Sequence, residues 1–406
     1  MQGAARLIDL SRTASRLWRG PPTGIDRVER AWLAALLDRP EELFALVRTG
    51  AGFCLLDRVG AAALGGLGAA APPDADLLSR LTRRGDARAA AADTAVRAHA
   101  VARAPAIGLA SMLRRRLPGG TGYLNLGHAN LTPLVLSAAR GVPGGRAAVF
   151  VHDMIPLDHP EFSRPDRVAV FRRRMRAVSA LADLVLYNSA HTRGRAEAWF
   201  ARWGRVPPGL VAPLGVDPAR PDPAALPPGI ARDGPFFLML GTIEPRKNHA
   251  FMLDVWDALA ARLPPDRMPR LVVAGSRGWA DPALYARLDA AAATGAVVEC
   301  AGLSDGAVAA LLERAEALVF PSLAEGFGLP LAEAMAAGTP VLCTPLPAFK
   351  EIAGDYPVYL AATDVYAWVN EFAHRVGAAG TVRGGHMRVA RLPGWDAHVN
   401  AVLSVV

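Results

Sequence analysis

Lysine is nearly absent from the 406-residue sequence. Lysine and arginine together number 45, but only Lys247 and Lys350 are lysines, and alanine is very abundant. Arginine in place of lysine is typical of a coding bias, so the net charge of +8 is weak evidence for a nucleic-acid partner. The chain also lacks an RNP motif, a zinc module and a basic stretch interleaved with aromatics. We therefore expect no nucleic-acid partner.

Cysteine and long apolar runs are scarce as well. The three cysteines form no CxxC, which argues against a disulfide framework or a cysteine zinc site and fits a reducing cytoplasm. Residues 1–20 lack the uninterrupted apolar core of a signal peptide. The longest apolar stretch, residues 59–72, is shorter than the roughly 20 residues that a membrane-spanning helix needs. We expect a cytoplasmic protein that at most contacts the inner face of the cell membrane peripherally.

The abundant residue types indicate a folded chain with more than one domain. Hydrophobic residues make up 52% and charged residues 20%, which excludes a wholly disordered chain, and the length fits two domains. The proline-rich stretch 218–228 is the best linker candidate, which predicts domains at 1–225 and 226–389. Residues 58–118 are rich in alanine, arginine and glycine and fit either helices or a mobile insertion.

Short apolar runs alternate with helical patterns, most clearly in the C-terminal half. Residues 236–241 predict a buried strand, and apolar residues then recur every four positions over 251–263, which predicts a helix capped by Asn248. Such alternation is typical of a parallel, doubly wound α/β sheet, so we expect two Rossmann-like domains. Strands are predicted at 6–10, 43–47, 53–56, 123–126, 147–151, 182–187, 236–241, 271–275, 296–300, 317–322 and 340–343.

The segment Glu325-Gly-Phe-Gly-Leu-Pro-Leu-Ala-Glu333 lies between a predicted strand and a predicted helix. Ligands of open α/β sheets bind outside the carboxyl ends of the strands, and glycines beside a helix N-terminus expose N–H groups that suit a phosphate. The two carboxylates can accept hydrogen bonds from a polyol. A structural explanation stays open, in which Glu333 in the first helical turn complements the helix dipole, and Gly326 and Gly328 shape a turn.

A second anion-binding pattern is Gly241-Thr-Ile-Glu-Pro-Arg-Lys-Asn248, where a strand ends and two adjacent cations precede a helix. Arginine offers a planar fork of donors and lysine a point charge, and both suit phosphate oxygens. The alternative is a solvated loop with an ordinary helix cap. Two such loops in one sheet favour a shared diphosphate.

These segments resemble those of family 4 glycosyltransferases, which are retaining enzymes of the GT-B fold that use nucleotide-diphosphate sugars. The family's E-x7-E element matches Glu325 and Glu333, and its glycine-loop-Arg/Lys element matches 241–248. The resemblance covers most of the chain, weakest over 58–118, and implies an α/β GT-B fold with two Rossmann-like domains facing a central cleft. In that fold a C-terminal helix returns to the first domain, and 390–406 match it. Further matches are 22–27, 150–153, 187–189, 215–217, 272–275, 300–302 and 349–354.

The resemblance implies a role for each matching residue. Arg246 and Lys247 would neutralise the departing diphosphate, and Glu325 would bind hydroxyls of the donor sugar. Glu333 would hold the ribose hydroxyls, and His152 would contact the donor sugar near the reacting carbon. The remaining donor-binding positions implied by the resemblance are Gly24, Gly241, Phe327, Gly328 and Leu329.

The expected chemistry needs no metal and no cofactor. Breaking a sugar–phosphate bond builds negative charge on the leaving group, which fixed cations and a helix N-terminus stabilise. Many family members carry arginine directly after the first glycine, where this chain has Thr242, and Arg246 is the candidate replacement. Because the resemblance offers no dependable nucleophile for a double displacement, we expect a front-face attack. Asp153 is a candidate helper, or equally a turn residue at a strand end.

The resemblance therefore implies transfer of a hexose, with mannose from GDP-mannose first, to a glycan or lipid-linked acceptor in surface polysaccharide synthesis. The alternatives are a GT-B epimerase or hydrolase acting on the same donor, and a non-catalytic sugar-nucleotide-binding protein. The basic clusters 114–116 and 172–176 are either solvated faces or contacts with an anionic membrane, where lipid-linked acceptors reside.

Overall fold

The structure is a computed structural model that describes residues 5–20, 22–227, 230, 234–377 and 392–406. The chain divides into two compact units. The first comprises residues 1–157, 164–214 and 395–406, and the second comprises residues 158–163 and 215–394. Each unit contains its own β-sheet.

The first unit is built on a sheet that is parallel except at β3, which pairs antiparallel with both of its neighbours. The strand order is β4-β3-β2-β1-β5-β6-β7-β8. The elements up to residue 211 are β1 (Arg6–Asp9), α1 (Ser11–Arg16), α2 (Gly24–Leu37), β2 (Leu43–Thr49), β3 (Gly52–Leu56), α3 (Arg58–Gly66), α4 (Leu77–Thr82), α5 (Ala87–Ala98), β4 (Ala102–Ala104), α6 (Leu109–Arg116), β5 (Gly122–Asn125), α7 (Pro133–Arg140), β6 (Arg146–Val151), α8 (Ile155–Asp158), α9 (Pro165–Leu181), β7 (Leu184–Tyr187), α10 (Ala190–Arg202) and β8 (Gly209–Val211).

The second unit is built on an entirely parallel sheet with the order β11-β10-β9-β12-β13-β14. Its elements are β9 (Phe236–Leu240), α11 (His249–Ala260), β10 (Arg270–Ala274), α12 (Pro282–Ala293), β11 (Val297–Cys300), α13 (Asp305–Arg314), β12 (Ala317–Phe320), α14 (Leu329–Ala336), β13 (Val341–Cys343), α15 (Pro347–Ala353), β14 (Val358–Tyr359) and α16 (Val365–Gly377). The predicted strands are confirmed, and the sequence pattern missed only the short strands β4, β8 and β14 among the described residues.

The continuous apolar run of β9 follows from burial on both faces of the sheet. Successive side chains of a strand point to opposite faces. Phe236 and Leu238 accordingly belong to one apolar cluster, whereas Phe237 and Met239 belong to another. Helices therefore cover both faces of this sheet, which is the usual environment of a parallel strand without polar alternation.

The described part of the proline-rich stretch, residues 218–227, is held against the second unit and is not an open linker. The main-chain N–H of Asp222 donates to the carbonyl of Gly306 at 2.9 Å, just inside α13, and Leu226 is buried in the core of the second unit. These contacts attach the stretch to the second unit, so the division falls between Leu214 and Gly215 rather than near residue 225. Residues 58–118, which the sequence left ambiguous, form α3 to α6 and add β4 to the edge of the first sheet.

The three cysteines of the chain lie in its buried interior. Cys54, Cys300 and Cys343 are free and buried. Burial raises the pKa of the Cys300 thiol to about 11 and that of Cys343 to about 12, so both stay protonated and unreactive near neutral pH. Within the described ranges, no helix has the length and apolar character required to cross a membrane.

The final helix, α17 (Trp395–Leu403), packs in the first unit through a buried histidine. His398 Nδ1 donates to the carbonyl of Pro213 at 2.8 Å, and its Nε2 accepts from the indole N–H of Trp32 on α2 at 3.1 Å. Both contacts need the neutral ring with the proton on Nδ1. Burial lowers the pKa of His398 to about 4, and the hydrogen bond to the Pro213 carbonyl opposes part of this shift.

We expect the attachment of α17 to weaken in acid. The folded state resists protonation of His398, so neutral His398 contributes fully to the free energy of unfolding above pH 6.5. This contribution is lost as the pH falls toward 4, and the loss is about 2 kcal/mol at pH 5. His398→Gln offers the same acceptor and donor without titrating. Its melting temperature should therefore fall less between pH 7.5 and 5 than that of the parent chain. An identical fall in both proteins would contradict this account.

Candidate functional site

Strand order brings the two predicted anion-binding loops together. The chain passes from β9 to β10 and β11 on one side, and then returns to place β12 on the other side of β9. The loops that follow β9 and β12 therefore leave the same edge of the sheet at adjacent positions. Such a reversal of strand order is where open α/β sheets bind their ligands.

Within these loops, one carboxylate oxygen collects the two cations. Glu325 Oε1 accepts from Lys247 Nζ at 2.6 Å and from an Arg246 guanidinium N–H at 2.6 Å. The hydroxyl of Ser322 donates to the same oxygen at 3.0 Å. The loops are further joined by the main-chain N–H of Leu323, which donates to the carbonyl of Arg246 at 2.8 Å. The structure thus assembles three of the predicted catalytic residues, Arg246, Lys247 and Glu325, into one cluster.

Burial and charge set the protonation states of this cluster. Burial opposes ionisation of Glu325, but Arg246 and Lys247 outweigh that effect and lower its pKa to about 2. Burial also lowers the pKa of Lys247, and the charge of Glu325 counteracts the shift. The Lys247 ammonium lies 4.3 Å from the centre of the Phe320 ring, a cation–π contact that further favours the charged form.

Backbone conformation at Gly241 makes room for the buried lysine. Gly241 has φ of +122°, and a Cβ atom there would lie 3.4 Å from Lys247 Cε. Gly275, at the end of β10, approaches so closely that a Cβ atom would lie 1.9 Å from the carbonyl oxygen of Gly241. Asn248 adopts a left-handed conformation with φ of 59°, and its side chain makes no capping bond to α11. The prediction of a side-chain cap at Asn248 is therefore wrong.

The glycine motif after β12 ends in a left-handed glycine at the start of α14. Gly328 has φ of +103°, and a Cβ atom there would lie 2.7 Å from the Phe349 ring. Phe327 is buried, while Leu329 and Pro330 form the first positions of α14. Glu333 is the fifth residue of α14 and lies beyond its first turn, which contains no acidic residue. The explanation of Glu333 as a first-turn partner of the helix dipole is therefore wrong.

Three residues of the cluster were not singled out from the sequence. Ser322 donates to Glu325, Phe320 faces Lys247, and Glu244 Oε1 lies 2.7 Å from the Arg246 guanidinium. Glu244 could have been predicted as an ion-pair partner of Arg246 because it lies two residues before it in the sequence. Ser322 and Phe320 stand at the end of a predicted strand and could have been placed at the same edge.

In the first unit, His152 follows β6 and is held from three sides. Its Nε2 donates to the carbonyl of Leu126 at 2.6 Å, and its main-chain N–H donates to His128 Nε2 at 3.3 Å. Its carbonyl accepts from Asn188 Nδ2 at 2.8 Å. Burial lowers the pKa of His152 to about 4, so the ring is neutral near pH 7 and Nδ1 carries the lone pair. His128, which has no partner visible in the sequence, is thus the partner of His152.

The other predicted residues of the first unit lie at helix starts. Asp153 Oδ1 accepts from the main-chain N–H of Ile155 at 3.0 Å, which is the turn role that the sequence left open. Gly24 is the first residue of α2, directly after Thr23, whose N–H donates to Asp26 Oδ2 at 2.7 Å. Arg12 reinforces this cap, because its Nε donates to Asp26 Oδ1 at 2.6 Å.

Asp74 and Asp76 have a D-x-D spacing, which brings two carboxylates close together in sequence as a Mg²⁺ site requires. Asp76 is engaged in the structure. Its Oδ1 accepts from the main-chain N–H of Ser79 at 2.8 Å as the cap of α4, and its Oδ2 pairs with Arg97. The Arg97 hydrogen bond, together with the cap, lowers the pKa of Asp76 to about 2. Its geometry is that of a helix cap.

Comparison with known proteins identifies relatives of parts of the chain. A family model described as Glycosyl transferases group 1 matches residues 227–372, in the second unit. The serotype-specific mannosyltransferase WbdA of Escherichia coli is 31% identical over 232 residues, 54% of this chain and 28% of that protein. The O-antigen chain mannosyltransferase B of Escherichia coli is 29% identical over 231 residues, 55% of this chain and 59% of that protein. The chain thus spans less than two thirds of either relative.

A solved structure matches nearly the whole chain. The Anabaena protein HepE, crystallised with UDP-glucose, superposes with a TM-score of 0.59 at 14% identity, covering 99% of this chain and 94% of that one. The two parallel-sheet units together have the GT-B fold, as the resemblance predicted. At this identity the superposition shows the fold, and the family model and the mannosyltransferase relatives match only parts of the chain.

The buried cluster predicts an asymmetric response to loss of charge. Glu325→Gln leaves Lys247 buried without an anion and should cost about 3 kcal/mol, whereas Lys247→Met leaves Glu325 with Arg246 and should cost less. The double variant should cost less than the sum of the two. Hydrogen exchange of the β9 and β12 amides measures these energies within the second unit.

The matched control for that comparison is Arg277→Gln. Arg277 pairs with Glu299 and Asp289 on the surface of the same unit, where loss of an ion pair should change stability by at most about 1 kcal/mol. Equal effects of Glu325→Gln and Arg277→Gln would show that the cluster is not energetically coupled.

Proposed function

We propose that the chain is a retaining, family 4-like glycosyltransferase that transfers a hexose from a nucleotide-diphosphate sugar to a glycan or lipid-linked acceptor. The observation that carries the proposal is the buried cluster of Arg246, Lys247 and Glu325 at the strand-order reversal. Paired cations beside a carboxylate suit a ligand that offers both phosphates and hydroxyls.

The proposed roles follow from the charges. As the sugar–phosphate bond breaks, negative charge grows on the diphosphate, and Arg246, Lys247 and the N-terminus of α14 are positioned to stabilise it. Lys247, Arg246 and Ser322 hold Glu325 through Oε1, and the carboxylate is proposed to accept from a hydroxyl of the donor sugar. The ribose contact of Glu333 and the backbone contacts of Gly241, Phe327, Gly328 and Leu329 rest on the family resemblance.

The reaction is proposed to proceed by front-face attack without a metal ion. In that mechanism the departing phosphate takes the acceptor's proton, so no carboxylate nucleophile is required. His152 is neutral near pH 7, and its Nε2 already donates to Leu126. His152 is therefore better suited to making a polar contact with the donor sugar than to supplying a positive charge. The helper role of Asp153 and the donor contact of Gly24 stay predictions.

Mannose from GDP-mannose is the proposed donor sugar, because the named relatives are mannosyltransferases. The printed name of the second relative refers to O-antigen chains, which favours a surface polysaccharide as the acceptor class. An epimerase or hydrolase would consume the same donor without forming a glycoside, and a binding protein would not consume it.

Lys247→Ala and Glu325→Ala should each lower kcat/KM for the donor by about 100- to 1000-fold, because each removes a charge that acts in a buried site. The matched control is Lys350→Ala, which alters the other lysine of the chain, on α15 near the Tyr359 ring. It should keep parental activity. Nucleoside diphosphate release with mannan oligosaccharides as acceptors measures the effect. Full activity in both cluster variants would overturn the site.

A panel of nucleotide sugars, each assayed with and without EDTA, tests the donor and the metal. We expect release of GDP from GDP-mannose, unchanged by EDTA, and a product whose anomeric configuration by NMR matches that of the donor. Loss of activity in EDTA would contradict the metal-free mechanism. Donor consumption without glycoside formation would instead indicate the epimerase or hydrolase.

A further inference from the structure

Helix α4 exposes three leucines on one face. Leu77, Leu78 and Leu81 have exposed fractions of 74%, 48% and 52%. Leu81 lies three positions after Leu78 and four after Leu77, and both spacings bring side chains together on a helix, so the three form a continuous apolar ridge. Ile107, at 95%, is the most exposed large aliphatic residue among those described. Exposed apolar side chains that form a contiguous patch mark interaction sites more often than scattered ones do.

The leucines and Ile107 flank one hairpin at the carboxyl edge of the first sheet. A Cβ atom on Gly50 would lie 2.7 Å from the Thr82 hydroxyl, at the end of α4. A Cβ atom on Gly52 would lie 2.4 Å from the carbonyl of Ala104, three residues before Ile107. Gly50 lies in the turn after β2, and Gly52 is the first residue of β3. Because β2 and β6 run parallel in one sheet, this is also the edge at which His152 follows β6.

The charges around the ridge are unbalanced toward positive. Asp76 pairs with Arg97, Asp86 with Arg19, and Asp93 with Arg83. By contrast, three exposed arginines close to the ridge in sequence, Arg80, Arg84 and Arg88, have no acidic partner among the described residues, against one exposed carboxylate, Asp74, that is likewise outside these ion pairs. The surface therefore offers apolar side chains rimmed by cations.

Two occupants could cover such a surface, and the charges distinguish them. A second copy of the chain would meet the ridge with the same patch, because a two-fold interface is self-complementary, and would bring the arginines against each other. Four aliphatic side chains also fall far short of the about 800 Å² per partner that a stable dimer buries. An anionic lipid surface accepts the aliphatic side chains and pairs with the arginines.

We propose that the docking face, formed by Leu77, Leu78, Leu81 and Ile107 with Arg80, Arg84 and Arg88, binds the surface of an anionic lipid bilayer. Binding itself does not require the transfer reaction. That it brings a lipid-linked acceptor to the carboxyl edge of the first sheet rests on the proposed function.

This assignment differs from the clusters that the sequence suggested. Helix α6 starts beside Ile107 and runs back across the sheet, so that Arg114, near its end, lies beside Gly141, which precedes β6. Residues 114–116 therefore lie at the opposite edge of the sheet. The apolar residues of α6 are buried and offer nothing to insert: Leu109, Met112 and Leu113.

Vesicle flotation of the full chain tests the docking face. The parent chain should bind vesicles of 70% phosphatidylcholine and 30% phosphatidylglycerol at least tenfold more tightly than pure phosphatidylcholine, and should lose most of this binding at 0.5 M salt. Leu77→Gln/Leu81→Gln should weaken binding by about tenfold or more, because each glutamine removes an inserted side chain. Arg80→Gln/Arg84→Gln should weaken it by about tenfold, roughly fivefold or less for each charge.

Matched controls lie at the opposite edge of the sheet. Val206→Gln changes an aliphatic residue that is 44% exposed and precedes β8, and Arg115→Gln/Arg116→Gln removes two exposed arginines at the end of α6. Both should bind vesicles like the parent. Equal loss in controls and docking-face variants, equal binding to neutral and anionic vesicles, or no binding at all would each overturn the proposal, as would a stable dimer that the leucine variant dissociates.

Two further measurements separate docking from folding and from catalysis. Unchanged melting temperatures show that the exposed substitutions leave the fold intact. Nucleoside diphosphate release with a water-soluble acceptor should be the same in the docking-face variants and the parent, because these variants keep Lys247 and Glu325. A failure of vesicle binding with intact release would overturn the docking face alone, and a failure of release with intact binding would overturn the proposed function alone.

Discussion

The pairing of buried Lys247 with Glu325 is the interaction on which the second unit's site depends. A buried ammonium is stable only beside an anion, and a buried carboxylate only beside cations. The pair joins residues 78 positions apart in the chain and thereby holds the loop after β9 against the loop after β12. Gly241 and Gly275 serve the same arrangement, since side chains at either position would press on Lys247 or on the backbone beside it.

The pair can form because strand order places the two loops side by side. A strand such as β9, which is apolar without polar alternation, requires helices on both faces of its sheet. The crossover connections that contain those helices take the chain first to one side of β9 and then to the other. The position of the site is thus a consequence of burying the sheet. Open α/β sheets bind their ligands at the edge that such a topology leaves uncovered.

Much of this arrangement could be predicted from local sequence, and the rest depended on contacts between distant residues. Runs such as 236–240 specify strands through their own apolar pattern, and the glycine and cation spacings located both loops. Nothing local shows that Lys247 would pair with Glu325, that His128 would hold His152, or that Asp222 would attach a proline-rich stretch to α13. The helix cap predicted at Asn248 is absent because its backbone adopts a left-handed conformation, which the neighbouring residues do not predict.

The cluster at the strand-order reversal has a formal charge of zero, because Arg246 and Lys247 face Glu244 and Glu325. Inorganic phosphate that recruits Lys247 takes a cation away from a buried carboxylate and offers only its P–OH groups in return. A sugar diphosphate presents hydroxyls to that carboxylate while its phosphates engage the cations, so every charge keeps a partner. Under the proposed function, the neutrality of the cluster therefore favours ligands that carry a sugar over inorganic phosphate.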